Sequence, residues 1–176
     1  MNRRPVTNIE HFFKDEEIIV SKTDKKGVIT YANDVFINIC GYTEQELIGT
    51  QHNIVRHAYM PRCVFKLLWD TVQKGQEIFA YVINRCKNGD HYWVFAHVTP
   101  SFDDKGNIIG YHSTRRVPNR EILNEVIIPL YKMLLEEEQK YKNPKEAMMA
   151  GEKMLFNILK EQNLEYDEFI FLTLNK

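Results

Sequence analysis

Two turn signals flanking one long extended run set what this chain can fold into. Asn88-Gly89 closes "EIFAYVINRCK" (77–87), and "DDKG" (103–106) closes "DHYWVFAHVTPSF" (90–102). Asn-Gly supplies the positive backbone angles that a tight hairpin needs. With "NIIGYHSTRRV" (107–117) next in line, the segments make an antiparallel three-strand meander. Alternation puts Tyr92, Val94, Ala96 and Val98 on one face of the middle strand, and His91, Trp93, Phe95 and His97 on the other. One face must meet helices and any ligand. The Trp-x-Phe face also suits packing against an N-terminal helix at "IEHFF" or against a partner. Plain sheet packing explains each aromatic as readily as a pocket wall does.

Upstream, "EEIIVSKT" (16–23), a turn at "DKKG" and "VITYA" (28–32) read as a first hairpin, with Ile18 and Val20 on one face. Strand propensity then stops. "NDVFINICGYTEQELIG" (33–49) reads as two short helices broken at Gly41, the second opened by the capping box Thr43-x-x-Glu46. "HNIVRH" (52–57) is one more helical turn. "MPRCVFKLLWDTVQKG" (60–75) is a helix with Pro61 in its first turn, Phe65, Leu68, Trp69 and Val72 on one stripe, and Gly75 at its end.

After Arg116 the pattern is helical. Ile122, Leu123, Val126, Ile127, Leu130 and Leu134 keep helical spacing, and Pro129 predicts a kink. Asn143, Pro144 and Glu146 start a second helix, with Met148, Gly151, Met154, Leu155, Ile158 and Leu159 on its apolar stripe. "EYDEFIFLTL" (165–174) reads as a short helix. The expected architecture is α+β: a five-stranded antiparallel sheet with short helices on one face, followed by C-terminal helices. Residues 1–117 form the sheet-bearing domain and 118–176 a C-terminal helical segment.

Composition narrows function. The 176 residues are 44% apolar and 12% aromatic, enough for a sizeable core. A net charge of -1, from 23 basic and 24 acidic residues, gives no electrostatic reason to expect nucleic acid as a partner. Cys40, Cys63 and Cys86 make no CxxC and no zinc spacing, a sparse set that fits a reducing compartment. The basic start lacks a signal-peptide core, and the apolar runs break well before the ~20 residues of a membrane helix. The expectation is a soluble, cytoplasmic protein without direct membrane insertion. There is no nucleophile–base pair, metal cluster, kinase box or phosphate loop in the sequence, so an enzyme is not expected.

The order β-β-α-α-α-α-β-β-β resembles a PAS sensor domain. "YANDVFINICGYTEQELIG", "HNIVRH", "LWDTVQKG", "NRCKNGDHYWV", "GYHSTRR" and the later "PLYK" (129–132) resemble the PAS domain of the bacterial aerotaxis-receptor type. The resemblance implies non-covalent FAD binding and redox sensing. It also resembles the short CetB-type energy-taxis PAS proteins, which implies signalling in trans to a membrane-bound chemoreceptor signalling protein.

The resemblance supplies site candidates. Asn33 stands where the family has a flavin-contacting asparagine, and is equally a helix N-cap. Arg56 and His57 match the family's pocket-edge pair, and a guanidinium suits a pyrophosphate. Asn84 matches a pocket asparagine, on a face shared with Ile78, Ala80 and Val82; a polar group there needs a partner. The family's aspartate after the Arg-His pair is replaced in "AYM", and its tryptophan after the "KG" turn is Ile78 with Phe79 beside it. Tyr59, Ile78, Phe79 and Trp69 complete the candidate set. The Asn-Cys-Arg motif of light-sensing relatives is missing from "TQHNIVRH", which argues against a blue-light adduct. His52 and His57 are positional candidates for heme, the alternative cofactor. A ligand-free adaptor remains open, with the C-terminal stripes and Met148, Met149 and Met154 serving fold-back, homodimerisation or receptor docking.

Overall fold

The computed structural model describes residues 5–174, and their side chains as far as Phe171. Strands β1 (Ile19–Asp24), β2 (Ile29–Ala32), β3 (Ile78–Arg85), β4 (His91–Phe102) and β5 (Ile108–Arg116) form one antiparallel sheet, ordered β2-β1-β5-β4-β3. The hairpin β1–β2 and the meander β3–β4–β5 fall where the turn signals place them. Joining β5 to β1 brings the two ends of the domain's sequence together at the sheet centre, with Ile19 opposite Arg115 and Ser21 opposite Ser113.

The helices between β2 and β3 are α1 (Asp34–Cys40), α2 (Glu44–Leu47), a 3-10 turn over His52–Val55, and α3 (Arg62–Gln73). Gly41 ends α1 in the left-handed conformation at φ 72, which a side chain would resist. Thr43 and Glu46 make the full capping box on α2. Without it a four-residue helix would leave two backbone N–H groups unmet. Thr43→Ala is expected to destabilise the protein by ~1 kcal/mol in urea titration. An unchanged midpoint would mean the box contributes nothing.

The core face of β1 is not the one alternation suggested. Ile19 and Ser21 are buried, while Ile18 and Val20 are only half-buried. A serine can occupy the inner face because its hydroxyl has polar partners there, described below. The segment 9–13 is not a helix. Its backbone is extended, with His11 N–H donating to the His91 carbonyl (2.7 Å) and His91 N–H to that of Ile9 (3.0 Å). Asp90 in the turn accepts from the Thr7 hydroxyl, pairs with His11 Nε2 at 2.7 Å, and its carboxyl is held below the ordinary range by these bonds.

Beyond β5 come α4 (Arg120–Ile122), a π-helical stretch over Leu123–Ile127, α5 (Ile128–Gln139), α6 (Pro144–Glu161) and α7 (Tyr166–Leu174). Pro129 does not kink one continuous helix. The chain switches to π geometry first, and Pro129 falls in the opening turn of α5, where its missing N–H is tolerated. Asn143 caps α6 by accepting from the Lys145 and Glu146 N–H groups. Its fully buried stripe is Ala147, Gly151, Leu155 and Leu159, with Met148, Met154 and Ile158 half-buried.

By contacts the chain forms two compact units: residues up to Ala58 with Thr71–Pro118, and Tyr59–Asp70 with the residues from Asn119 on. The first holds the whole sheet. In the second, the buried Glu138 carboxylate accepts from the first free N–H groups of α3, Arg62 (3.0 Å) and Cys63 (2.8 Å). Lys66 of α3 pairs with Asp70 and with Glu152 of α6. Among the described residues, no helix is long and apolar enough to cross a membrane.

Candidate ligand site on the helix face of the sheet

Tyr92, Val94 and Ala96 face the short helices and are buried, so the polar groups among them carry the chemistry of the interior. Directly opposite Tyr92 lies Asn84, which puts both side chains on one face. The isolated bridge Arg56–Asn84 adds the chain at 56 along the edge of β3, so Arg56 shares that face. β3 is almost wholly buried, including Ile78 and Asn84.

The centre of this face is Arg115. It is 2% exposed. Its Nε donates to the Ser113 hydroxyl at 3.0 Å, and its Nη2 to the Ser21 hydroxyl and, at 3.3 Å, to His52 Nε2. The guanidinium lies over the Phe36 ring, 4.7 Å from its centroid. Ser21 Oγ and His52 Nε2 are 3.2 Å apart, and the imidazole stacks on Phe36 at 5.9 Å. As an acceptor from Arg115, His52 Nε2 carries no proton. Burial, and then the Arg115 charge, push the His52 pKa down to about 3.

Among the described residues, no carboxylate pairs with Arg115. Burial lowers its own pKa, and only Tyr92 and Cys40 pull the other way. Its Nη1 and the Tyr92 hydroxyl are buried without a hydrogen-bond partner. Burial raises the Tyr92 pKa well above the phenol norm, opposed first by the Arg115 charge and then, more weakly, by the Asn84 amide. Orphaned polar atoms on this scale are rare in a finished core. A planar heterocycle with carbonyl and ring-nitrogen acceptors, seated beside the Asn84 amide, would satisfy Nη1 and the phenol together. The residues present therefore fit a flavin ring.

The other candidates fall elsewhere. Asn33 is an N-cap: its Oδ1 accepts from Phe36 N–H (3.1 Å) and Val20 N–H (2.9 Å), and its Nδ2 donates to the Ile18 carbonyl (2.8 Å). Phe79 faces away from Asn84. Its ring stacks on His97 at 4.1 Å and on Phe95 at 5.8 Å, across the opposite surface of the sheet. His57 is buried against His91, rings 5.5 Å apart. Burial, then His91 and Arg85, push its pKa down to about 4. Residues 85 and 91 alternate with 84 and 92, so His57 also leaves the Asn84 face. Tyr59 is 55% exposed and Trp69 half-buried on α3, both in the second unit. His52, a heme candidate by position, has its Nε2 engaged by Ser21 and Arg115. Cys40, Cys63 and Cys86 are buried thiols, each raised in pKa chiefly by burial.

The PAS fold profile matches residues 29–115. Over 121 residues, 68% of the chain, the sequence is 46% identical to the aerotaxis receptor of Escherichia coli, covering 23% of that receptor. This chain carries a PAS domain of the aerotaxis-receptor type. The PAS region is also 27% identical, over 99 residues (56% of the chain), to 20% of the nitrogen fixation regulatory protein of Klebsiella pneumoniae. The chain thus spans less than a quarter of the length of these relatives. Among solved structures, the light state of the blue-light photoreceptor Aureochrome1 LOV superposes with a TM-score of 0.56 at 22% identity, covering 62% of this chain and 88% of that one. The light-state dimer of the fungal photoreceptor Vivid gives 0.52 at 20% identity, covering 65% and 86%. These likenesses speak for the PAS fold.

Ser21, His52, Tyr92, Ser113 and Arg115 make up the polar centre of this PAS domain; the sequence marked His52 by position and Tyr92 by alternation, and the other three not at all. Tyr111, Ser113 and Arg115 alternate, which marks one face of β5. Nothing local distinguishes a buried Arg115 from the exposed Arg116 beside it.

Proposed function

We propose that this protein is a sensor of cellular redox state that binds FAD non-covalently in its PAS domain and signals in trans to a membrane-bound chemoreceptor signalling protein. The observation that carries the reading is the unspent donor set on the helix face, Arg115 Nη1 with the Tyr92 hydroxyl, beside Asn84. It lies in a region 46% identical to an aerotaxis receptor. Bound flavin supplies reversible electron uptake. Asn84 and Tyr92 orient its ring edge, Arg115 senses its charge, and Phe36 and the sheet keep water out. Arg115 sits two residues before Val117 and three before Pro118, so a change in its bonding reaches the strand end that leads into α4. Exposed Met133, Met149, Phe156 and Phe171 on the C-terminal helices suit docking on a receptor or a second copy. The protein works in the cytoplasm and catalyses no reaction of its own.

The test is an absorption spectrum of freshly purified protein before and after dithionite. Oxidised-flavin bands that bleach on reduction are expected. Asn84→Ala should then raise the Kd for FAD roughly tenfold, the loss of about one hydrogen bond in a buried site. A protein that stays colourless after incubation with FAD refutes the sensor and leaves a ligand-free adaptor. A Soret band would instead indicate heme.

A further inference from the structure

We propose that Arg115 sets the redox bias of this site, its buried and uncompensated guanidinium holding reduced flavin more tightly than oxidised flavin. The inference rests on the flavin reading above and deepens it. The geometry comes first. A cation removed from water is expensive unless an anion accompanies it. Asp90, the buried acid of the turn, is committed to Thr7, His11 and Asn88. Around Arg115 stand two serine hydroxyls, a neutral imidazole, an aromatic face and a phenol. All are neutral. One guanidinium nitrogen is left over. Such an arrangement is poor for an empty core and well suited to a ligand that gains negative charge there.

Flavin reduction supplies that charge. The ring takes two electrons from a low-potential donor, such as dithionite, and one proton from solvent, which leaves one net negative charge. No bond to the protein forms or breaks. In a low-dielectric interior an adjacent cation stabilises that form over the neutral oxidised ring. Tyr92 and Asn84 are neutral in both states and do not discriminate by charge.

The experiment compares flavin midpoint potentials and ligand-free melting in wild type, Arg115→Lys and Arg115→Met. Wild type should bind reduced FAD at least tenfold more tightly than oxidised FAD, placing the bound midpoint ~30 mV or more above that of free FAD in the same buffer for a two-electron couple. Arg115→Met should lose that preference. Without flavin it should melt no lower than wild type, because it removes an unpaired buried charge. Arg115→Lys keeps the charge and should keep most of the shift. A purely structural arginine predicts the reverse: both variants melt lower and the midpoint does not move. The wild-type measurement stands alone if a variant does not fold, and a bound midpoint at or below that of free FAD overturns the proposal. Wild type that binds no flavin in either state overturns the flavin reading itself, an outcome distinct from bound flavin with an unshifted potential.

Discussion

Glu138→Ala is expected to destabilise the C-terminal helical unit by about 2–4 kcal/mol, one of the two largest effects in the molecule. The carboxylate is 5% exposed and accepts two N–H groups that begin α3. Removing it leaves a helix start without its acceptor. Gly151 on α6 explains why no alternative is at hand. A Cβ there would lie 2.9 Å from Glu138 Cγ and Oε1, and 3.1 Å from Cys63 Sγ. Gly151→Ala gains ~1 kcal/mol of helix propensity. It must push away a carboxylate that is tied by two bonds, so the net effect in wild type should be destabilising. In the Glu138→Ala background the nearer obstacle is gone and Cys63 Sγ alone stays close, so the same substitution should cost clearly less than it does in wild type. A double-mutant cycle in urea reads that difference. Additive effects would sink the account. Glu138→Gln keeps an acceptor without the charge, so it should fall between wild type and Glu138→Ala.

The sequence makes the frame of this fold legible because local chemistry decides it. Asn88-Gly89, the Thr43–Glu46 box and the Asn143-Pro144 start each act within a few residues, and each lies where its signal says. The site is different in kind. Ser21, His52 and Arg115 converge from three distant segments, and Ser21 reads as an ordinary polar strand residue until its partners are known. On β3 burial does not show the period of two, because residues of both faces are buried. The Arg56–Asn84 bridge separates Arg56 from His57, which adjacency in sequence treats as one unit. Glu138 hides in the acidic run 136–138. The signal was there: positions 130, 134 and 138 continue one helical stripe, and a carboxylate on an apolar stripe needs donors.

Acidification from pH 7 to 5 should remove on the order of 4 kcal/mol of stability, roughly 2 for each of two buried histidines. His52 and His57 have folded pKa values pushed down to about 3 and about 4, against 6.5 when exposed. The unfolded chain therefore takes up protons first. Stability is complete above pH 6.5 and is lost progressively as pH falls below it, until the folded-state values are reached. Burial is the larger cause at both sites. The cations that oppose protonation are Arg115 at His52, and Arg85 at His57, where His91 acts in the same sense. His112 is also lowered and adds to the same trend. Asp90, Asp103 and Glu46 are lowered too, but a depressed carboxyl gives up stability only below its ordinary range, near pH 4. The window between pH 5 and 6.5 thus belongs to the histidines. Urea midpoints at pH 7, 6 and 5 should fall steadily in wild type. His52→Gln keeps an acceptor for Ser21 and Arg115 without a titrating group, so about half of that slope should vanish. A midpoint that stays level from pH 7 to 5 in wild type would mean that both imidazoles can be protonated inside the fold. The neutral surroundings ascribed to Arg115 would then be wrong at His52.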